Sequence, residues 1–142
     1  MLPTSPILNL NLTEETSPTR TYRTVIVGNE DSPNTVYHSR IKGYTNGIEA
    51  LKQAIYFILS TERYEFIIYS WDYGIELRTL FGKPIPYVKS ELKRRITEAL
   101  TMDDRINDVN DFKFEKQREK LHVTFVVDSI YGGIPTDMEV EV

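Results

Sequence analysis

The chain reads as an α+β domain: a small, mostly antiparallel sheet with a C-terminal β-hairpin packed against two main helices. Three observations carry that reading. Leu121, Val123, Phe125 and Val127 alternate strictly with His122, Thr124 and Val126, the period-two signature of a strand with one face on a core. Ile48, Leu51, Ala54, Ile55, Ile58 and Leu59 recur at helical spacing, and so do Val88, Leu92, Ile96, Ala99 and Leu100. The 142 residues, 40% apolar and 27% charged, suit one globular domain with a modest core.

Taken in order, residues 1–19 are rich in Pro, Thr, Ser and Asn. Asn9 to Leu12 alternates, but Pro3, Pro6 and Pro18 bracket it, so this stretch reads as an extended N-terminal arm. The domain proper is expected over 20–131. Tyr22, Thr24 and Ile26 alternate with Arg23, Val25 and Val27, a first strand ending at Gly28. Asn29 to Asn34 is a turn cluster, and Val36 to Ile41 a second strand that closes a hairpin. Asn46 is placed to cap the first helix by accepting from its free backbone donors. Phe66 to Tyr69 is short, apolar and partly β-branched, which predicts a buried strand or extended segment. Ile75 to Phe81 predicts a helical turn or two, stopped by Gly82 and Pro84. Pro86 suits the first turn of a second helix running to about Met102. Val109, Phe112 and Phe114 begin the C-terminal hairpin, whose turn is charged, and Ile130 and Tyr131 extend its second strand. Residues 132–142 carry Asp137, Glu139 and Glu141 with no basic residue. They read first as a solvated acidic tail and second as an arm that pairs with a neighbour.

Several function classes lose support from composition. No run approaches the roughly 18 apolar residues that cross a bilayer, and the N-terminus lacks the basic and apolar regions of a signal peptide. The absence of cysteine removes disulfides and thiolate metal sites and fits synthesis in a reducing cytosol. A net charge of −4 argues against nucleic acid as a partner. His38 and His122 have no companion ligand at a metal-site spacing, so no metal and no cofactor is expected.

Carboxylates are the remaining candidates for catalysis. Glu62 beside Tyr64 and Asp72 beside Trp71 can be drawn as the acid pair of a glycoside hydrolase. The simpler reading makes Glu62 and Arg63 local pairing or capping residues and Asp72 a turn residue, and no catalytic residue is assigned. Lys89, Lys93, Arg94 and Arg95 form a basic run that is either a solvated helix face or a contact for an acidic surface. Tyr64, Phe66, Tyr69, Trp71, Tyr73, Phe81 and Tyr87 crowd a short span. Together they exceed what a small core needs and point to a protein-binding surface.

The stretch G-I-E-A-L-K-Q-A-I-Y-F-I-L-S-T-E-R-Y-E-F-I-I-Y-S-W-D-Y-G-I-E-L is similar to the wedge and sheath-initiator proteins of contractile tails. That family occurs in contractile phages, phage-like prophage particles and R-type bacteriocins, and as a baseplate component of type VI secretion. The resemblance runs from about Tyr22 to Tyr131 and is nearest to the prophage-type branch. Thr61 to Phe66 sits where the family has a helix-ending Gly-Glu-Arg-like stretch, and Tyr73 to Pro84 matches its Phe-Gly-x-x-Leu…Leu-Phe run. The family signature Glu-Pro-Arg followed by Ile reads Asp103, Asp104, Arg105 and Ile106 here. Arginine and isoleucine are kept, the acid is a methylene shorter, and the proline is replaced.

The resemblance implies a non-enzymatic baseplate component that links the wedge to the sheath and starts sheath polymerisation. Its site is a protein site on two sides. Asp103, Arg105, Ile106, Glu62, Arg63, Trp71 and Tyr73 are expected to face the wedge. Leu121, Val123, Phe125 and Val127 are expected to form an edge strand to which sheath arms add by β-augmentation. The implied partners are the sheath protein, baseplate wedge proteins and, beyond them, tail tube or hub proteins. Multiple copies would stand around a sixfold axis of a virion or phage-like particle assembled in the bacterial cytoplasm. Because the family has been labelled lysozyme-like, a tail-borne muralytic enzyme is the alternative, and an unrelated cytosolic adaptor a third.

Overall fold

The computed structural model describes residues 20–27 and 38–142. β1, Thr21–Val27, pairs antiparallel with β2, His38–Thr45. Helix α1 spans Gly47–Ser60, a single 3₁₀ turn covers Arg78–Leu80, and helix α2 spans Ile85–Thr101. β3, Ile106–Gln117, β4, Lys120–Ser129, and β5, Gly132–Glu141, form a second antiparallel sheet in the order β3-β4-β5. The architecture is α+β, as the periodicities require. The N-terminal arm, the turn cluster at Asn29 to Asn34 and the first residues of the second strand from Val36 lie outside the described residues.

α2 buries the face its spacing marks, and α1 most of it: Ile48, expected inside, is exposed, Ala54 and Leu59 are half-buried, and Ala50, off the expected face, is buried. Ala50, Leu51, Ile55 and Ile58 of α1 are buried, and so are Val88, Leu92, Ile96, Ala99 and Leu100 of α2. All of these but Ala50 meet Leu121, Val123, Phe125 and Val127 of β4 in one core. Burying a side chain of that size is worth roughly 1.5–3 kcal/mol, so this cluster dominates the stability of the domain. Pro84 and Pro86 open α2, where the missing N–H groups cost no helical bond. Asn46 does precede α1, but its side chain makes no capping bond; its carbonyl accepts from Ala50 N–H at 3.4 Å. Gly47, the first residue of α1, sits at φ 57°, a left-handed backbone that glycine adopts readily.

Three further expectations are corrected. Phe66 to Tyr69 is neither strand nor buried: all four side chains are exposed in a loop. A short apolar run has no periodicity that separates a core strand from an interface loop. Ile130 and Tyr131 do not extend β4 but turn the chain. The Ser129 hydroxyl fastens that turn, donating to the Gly132 carbonyl at 2.8 Å and accepting from Tyr131 N–H at 3.2 Å.

The third correction concerns residues 132–142. They are not a solvated tail; Gly132–Glu141 returns along β4 in unbroken register, from Ser129↔Gly132 to Lys120↔Glu141. Ile134 and Val140 are buried and Thr136 and Met138 half-buried, while Gly133, Pro135, Asp137, Glu139 and Glu141 are exposed. β4 is therefore the central strand. Leu121, Val123, Phe125 and Val127 do not form an edge, because β5 satisfies the second row of backbone groups that was expected to stay open.

Candidate assembly surfaces

The segment between α1 and the 3₁₀ turn is a loop with a clamped neck. Ile75 N–H donates to Thr61 O at 2.9 Å and Arg63 N–H to Ile75 O at 3.1 Å, so the two ends run side by side. The Glu62 carboxylate accepts from the backbone N–H groups of Leu77 and Arg78 at 3.0 and 3.1 Å, capping the 3₁₀ turn. Arg63 is mostly buried, and donates to Gly74 O at 3.2 Å and to Glu98 of α2 at 3.0 Å. Glu65 and Arg78 close the outside of the neck at 2.6 Å. Gly74 sits at φ 92°, and a Cβ there would lie 2.5 Å from Thr61 O, so only glycine lets the two chains pass this closely.

The tip of this loop is apolar and wet. Tyr64, Phe66, Ile67, Ile68, Tyr69 and Trp71 are all exposed, Trp71 at 80% and Ile68 at 86%. Tyr69 stacks on Tyr73 at 4.6 Å between ring centroids, and Tyr64 leans on Trp71 at 6.0 Å. Burial, with Tyr69 beside it, holds the Tyr73 phenol above its ordinary pKa, so it stays neutral. Contiguous exposed apolar side chains on a rigid neck are the mark of a protein-binding surface, and the fixed neck lowers the ordering cost of binding.

Asp103 and Arg105 form a clasp at the α2–β3 corner. Arg105 Nε and Nη2 donate to the two Asp103 oxygens at 2.9 and 2.7 Å, and Arg105 N–H donates to Asp103 Oδ1 at 3.0 Å. Both side chains are mostly shielded, at 12% and 14% exposure. Burial pushes the Asp103 carboxyl up, but the bonds and charge of Arg105 outweigh it and leave the group below the usual carboxylate range. Arg105 O accepts from Ile130 N–H at 3.0 Å, tying the corner to the β4–β5 turn. Ile106 is buried in the core. Of the seven residues expected on the wedge side, only Trp71 is broadly exposed. Tyr73, Glu62 and Arg63 build the loop neck, and Asp103, Arg105 and Ile106 build a corner whose polar groups are already matched.

The other chemical candidates divide between exposed and engaged. Asp72 is exposed in the loop, while the Glu62 oxygens are taken by backbone donors. In the basic run, Arg94 pairs with Glu91 and Glu98. Arg95 pairs with Glu91 and also reaches Glu76 O and the Thr79 hydroxyl. Lys89 and Lys93 lie over the rings of Phe114 and Phe112 at 6.0 and 5.8 Å. Among the described residues, no group of His, Asp and Glu is arranged to hold a metal ion, and no helix is long and apolar enough to cross a membrane.

The second surface is the border of the three-stranded sheet. Its two outer strands differ. β3 slips register between Ile106 and Asp108 and again between Asn110 and Lys113, with Asp111 at φ 56°. Such irregularities twist an edge away from further pairing. β5 has no slip over its whole length. Pro135 has no N–H to give β4, so its position turns its backbone outward, and with it Gly133, Asp137, Glu139 and Glu141 by the period of two. Between β5 and α1 lies a groove of about 520 Å³ floored by Ile55, Leu59, Leu77, Ile134 and Met138. The sequence reading missed this border because it weighed the acids of 132–142 and not their alternation with Ile134, Thr136, Met138 and Val140.

The family model described as the contractile injection system sheath initiator matches residues 28–132, ending where β5 begins. A curated relative, the phage-like element PBSX protein XkdS of Bacillus subtilis (strain 168), is 45% identical over 91 residues. The match covers 62% of this chain and 64% of that relative, so the chain spans a little under two thirds of its length. With the resemblance in the loop and corner motifs, an α+β fold and a family match over most of the chain, this protein belongs to the contractile injection system sheath initiator family.

Proposed function

We propose that this protein is a non-enzymatic part of a contractile-tail baseplate that joins the wedge to the sheath and starts sheath polymerisation at the outer edge of β5. The observation that carries this reading is the contrast between the strands of the C-terminal sheet. β4 is sealed on both sides and β3 is irregular, while β5 keeps an unbroken register with β4 and turns its outer backbone groups away from it. An incoming sheath arm gains main-chain hydrogen bonds there and lays alternate side chains into the groove beside α1. Trp71, with its exposed loop neighbours, seats the molecule on wedge proteins. Tyr73, Glu62 and Arg63 hold that loop in shape, and the Asp103–Arg105 clasp with buried Ile106 holds the corner. Tube or hub proteins adjoin it, and copies repeat around the sixfold axis of a virion or phage-like particle assembled in the host cytoplasm.

Asp137→Pro tests this directly. Position 137 faces outward as Pro135 does, so proline removes an edge donor and leaves the β4–β5 ladder intact. The expected result is a folded protein with a near-normal melting temperature and baseplates that carry tubes without sheath. Normal sheathed particles from that variant would overturn the β5 edge. Digestion of purified cell wall by the wild-type protein, lost in Glu62→Gln, would overturn the non-enzymatic reading.

A further inference from the structure

We infer that the strand docking on β5 alternates basic with apolar side chains, the basic ones opposite Asp137, Glu139 and Glu141 and the apolar ones in the groove beside α1. This rests on the β5 edge proposed above and adds the chemistry of its occupant. The residues that turn their backbone outward on β5 are also the ones whose side chains lie on the solvent face. From Asp137 onward, all three of them are acidic. A strand that adds to this edge must set its own solvent-face side chains beside these carboxylates, where opposite charges attract and like charges repel. Lys120, on the far side of β5, already bonds Glu139 at 3.0 Å. Lys120 also lies opposite Glu141 in the register and is attracted by its charge, while among the described residues Asp137 makes no ion pair.

On the other side of β5, Ile134 and Met138 run beside Ile55 and Leu59 of α1 with about 520 Å³ open between them, rimmed by Lys52, Ser60 and Thr136 and, along the strand edge, by Asp137 and Glu139. That space takes apolar side chains from every second position of an added strand. Pro135 adds a register mark, because the occupant finds no donor there and its full set of edge bonds begins beyond it, over the acidic half. The matched family stretch stops at residue 132, so this acidic ladder belongs to a part of the chain outside it. The same acids act as gatekeepers before assembly, since an exposed edge lined with like charges resists pairing with a second copy of itself.

The test uses two fluorescent peptides about eight residues long, a usual strand length, one alternating valine with lysine and one alternating valine with glutamate. Copies N-methylated on every amide serve as backbone controls. Anisotropy titrations at low salt are expected to show the lysine peptide binding at least about tenfold tighter than the glutamate peptide. The methylated copies are expected not to bind, and Asp137→Lys, Glu139→Lys and Glu141→Lys together to reverse the order. Equal binding of both peptides that is lost on methylation, or an order the triple variant does not reverse, overturns the charge selection and leaves the β5 edge standing. A lysine preference that survives methylation is charge attraction without strand addition and overturns both, as does the absence of binding by either peptide.

Discussion

At the scale of single residues, the molecule spends its polar side chains on corners. Asp103 accepts three bonds from Arg105 in a nearly shielded site, and charge-assisted bonds of this kind are the strong ones. Asp103→Ala is expected to lower stability by about 2 kcal/mol in urea unfolding, since Arg105 then loses its partner with little water to replace it. The pH dependence follows from the depressed carboxyl. A group whose folded pKa lies below its unfolded value stabilises above the unfolded value, about 4 for Asp, and that stability is lost as pH falls through the folded value. The acid limb of a stability profile should therefore flatten in Asp103→Ala. Gly74→Ala is expected to cost about 1–3 kcal/mol, because it combines a left-handed φ with a Cβ against the Thr61 carbonyl. The clasp of Arg105 on Asp103 was not the expectation, which turned both side chains toward the wedge. The role of Glu62 was not legible in the sequence, because the donors it caps lie 15 and 16 positions further along the chain.

At the scale of elements, the β1–β2 hairpin shows how little holds a two-stranded sheet. Isolated hairpins are marginal in water, and Tyr22, Ile41 and Tyr44 are exposed here. The Gln53 side chain of α1 acts as a short piece of strand. Its oxygen accepts from Thr24 N–H at 3.0 Å and its amide donates to Tyr22 O at 2.8 Å. Gln53→Ala removes both bonds, and amide exchange across β1 is expected to speed up roughly tenfold, as a loss of one to two hydrogen bonds implies, while α2 and β4 amides keep their protection. The helices and β4 were readable because each buries one face, which forces the period into the sequence. β5 carries the same period of two, but a proline and three acids on its wet face hide it from a reading that weighs composition.

At the scale of the whole molecule, the proposed function assigns two surfaces to other proteins, one an apolar loop tip and the other a strand border. They ask for different partners, since the first offers side chains and the second offers backbone. Trp71→Ala combined with Ile68→Ser removes apolar surface that packs on no core, so the melting temperature should hold, with a stability change within about 0.5 kcal/mol. The same variant is expected to be missing from purified baseplates in an immunoblot. Normal incorporation would move the wedge contact away from the loop.

The amino-acid sequence by itself determined the α+β class, both helices with their buried faces, the C-terminal hairpin and the family resemblance. These follow from periodicity and from short motifs, which are local in the chain. Only the tertiary structure decided that Phe66 to Tyr69 is outside the core, that Arg105 spends its fork on Asp103, and that the open border is β5 and not β4. The first and the last depend on which segment returns to cover another. Backbone hydrogen bonding makes that choice without leaving a mark on any single side chain.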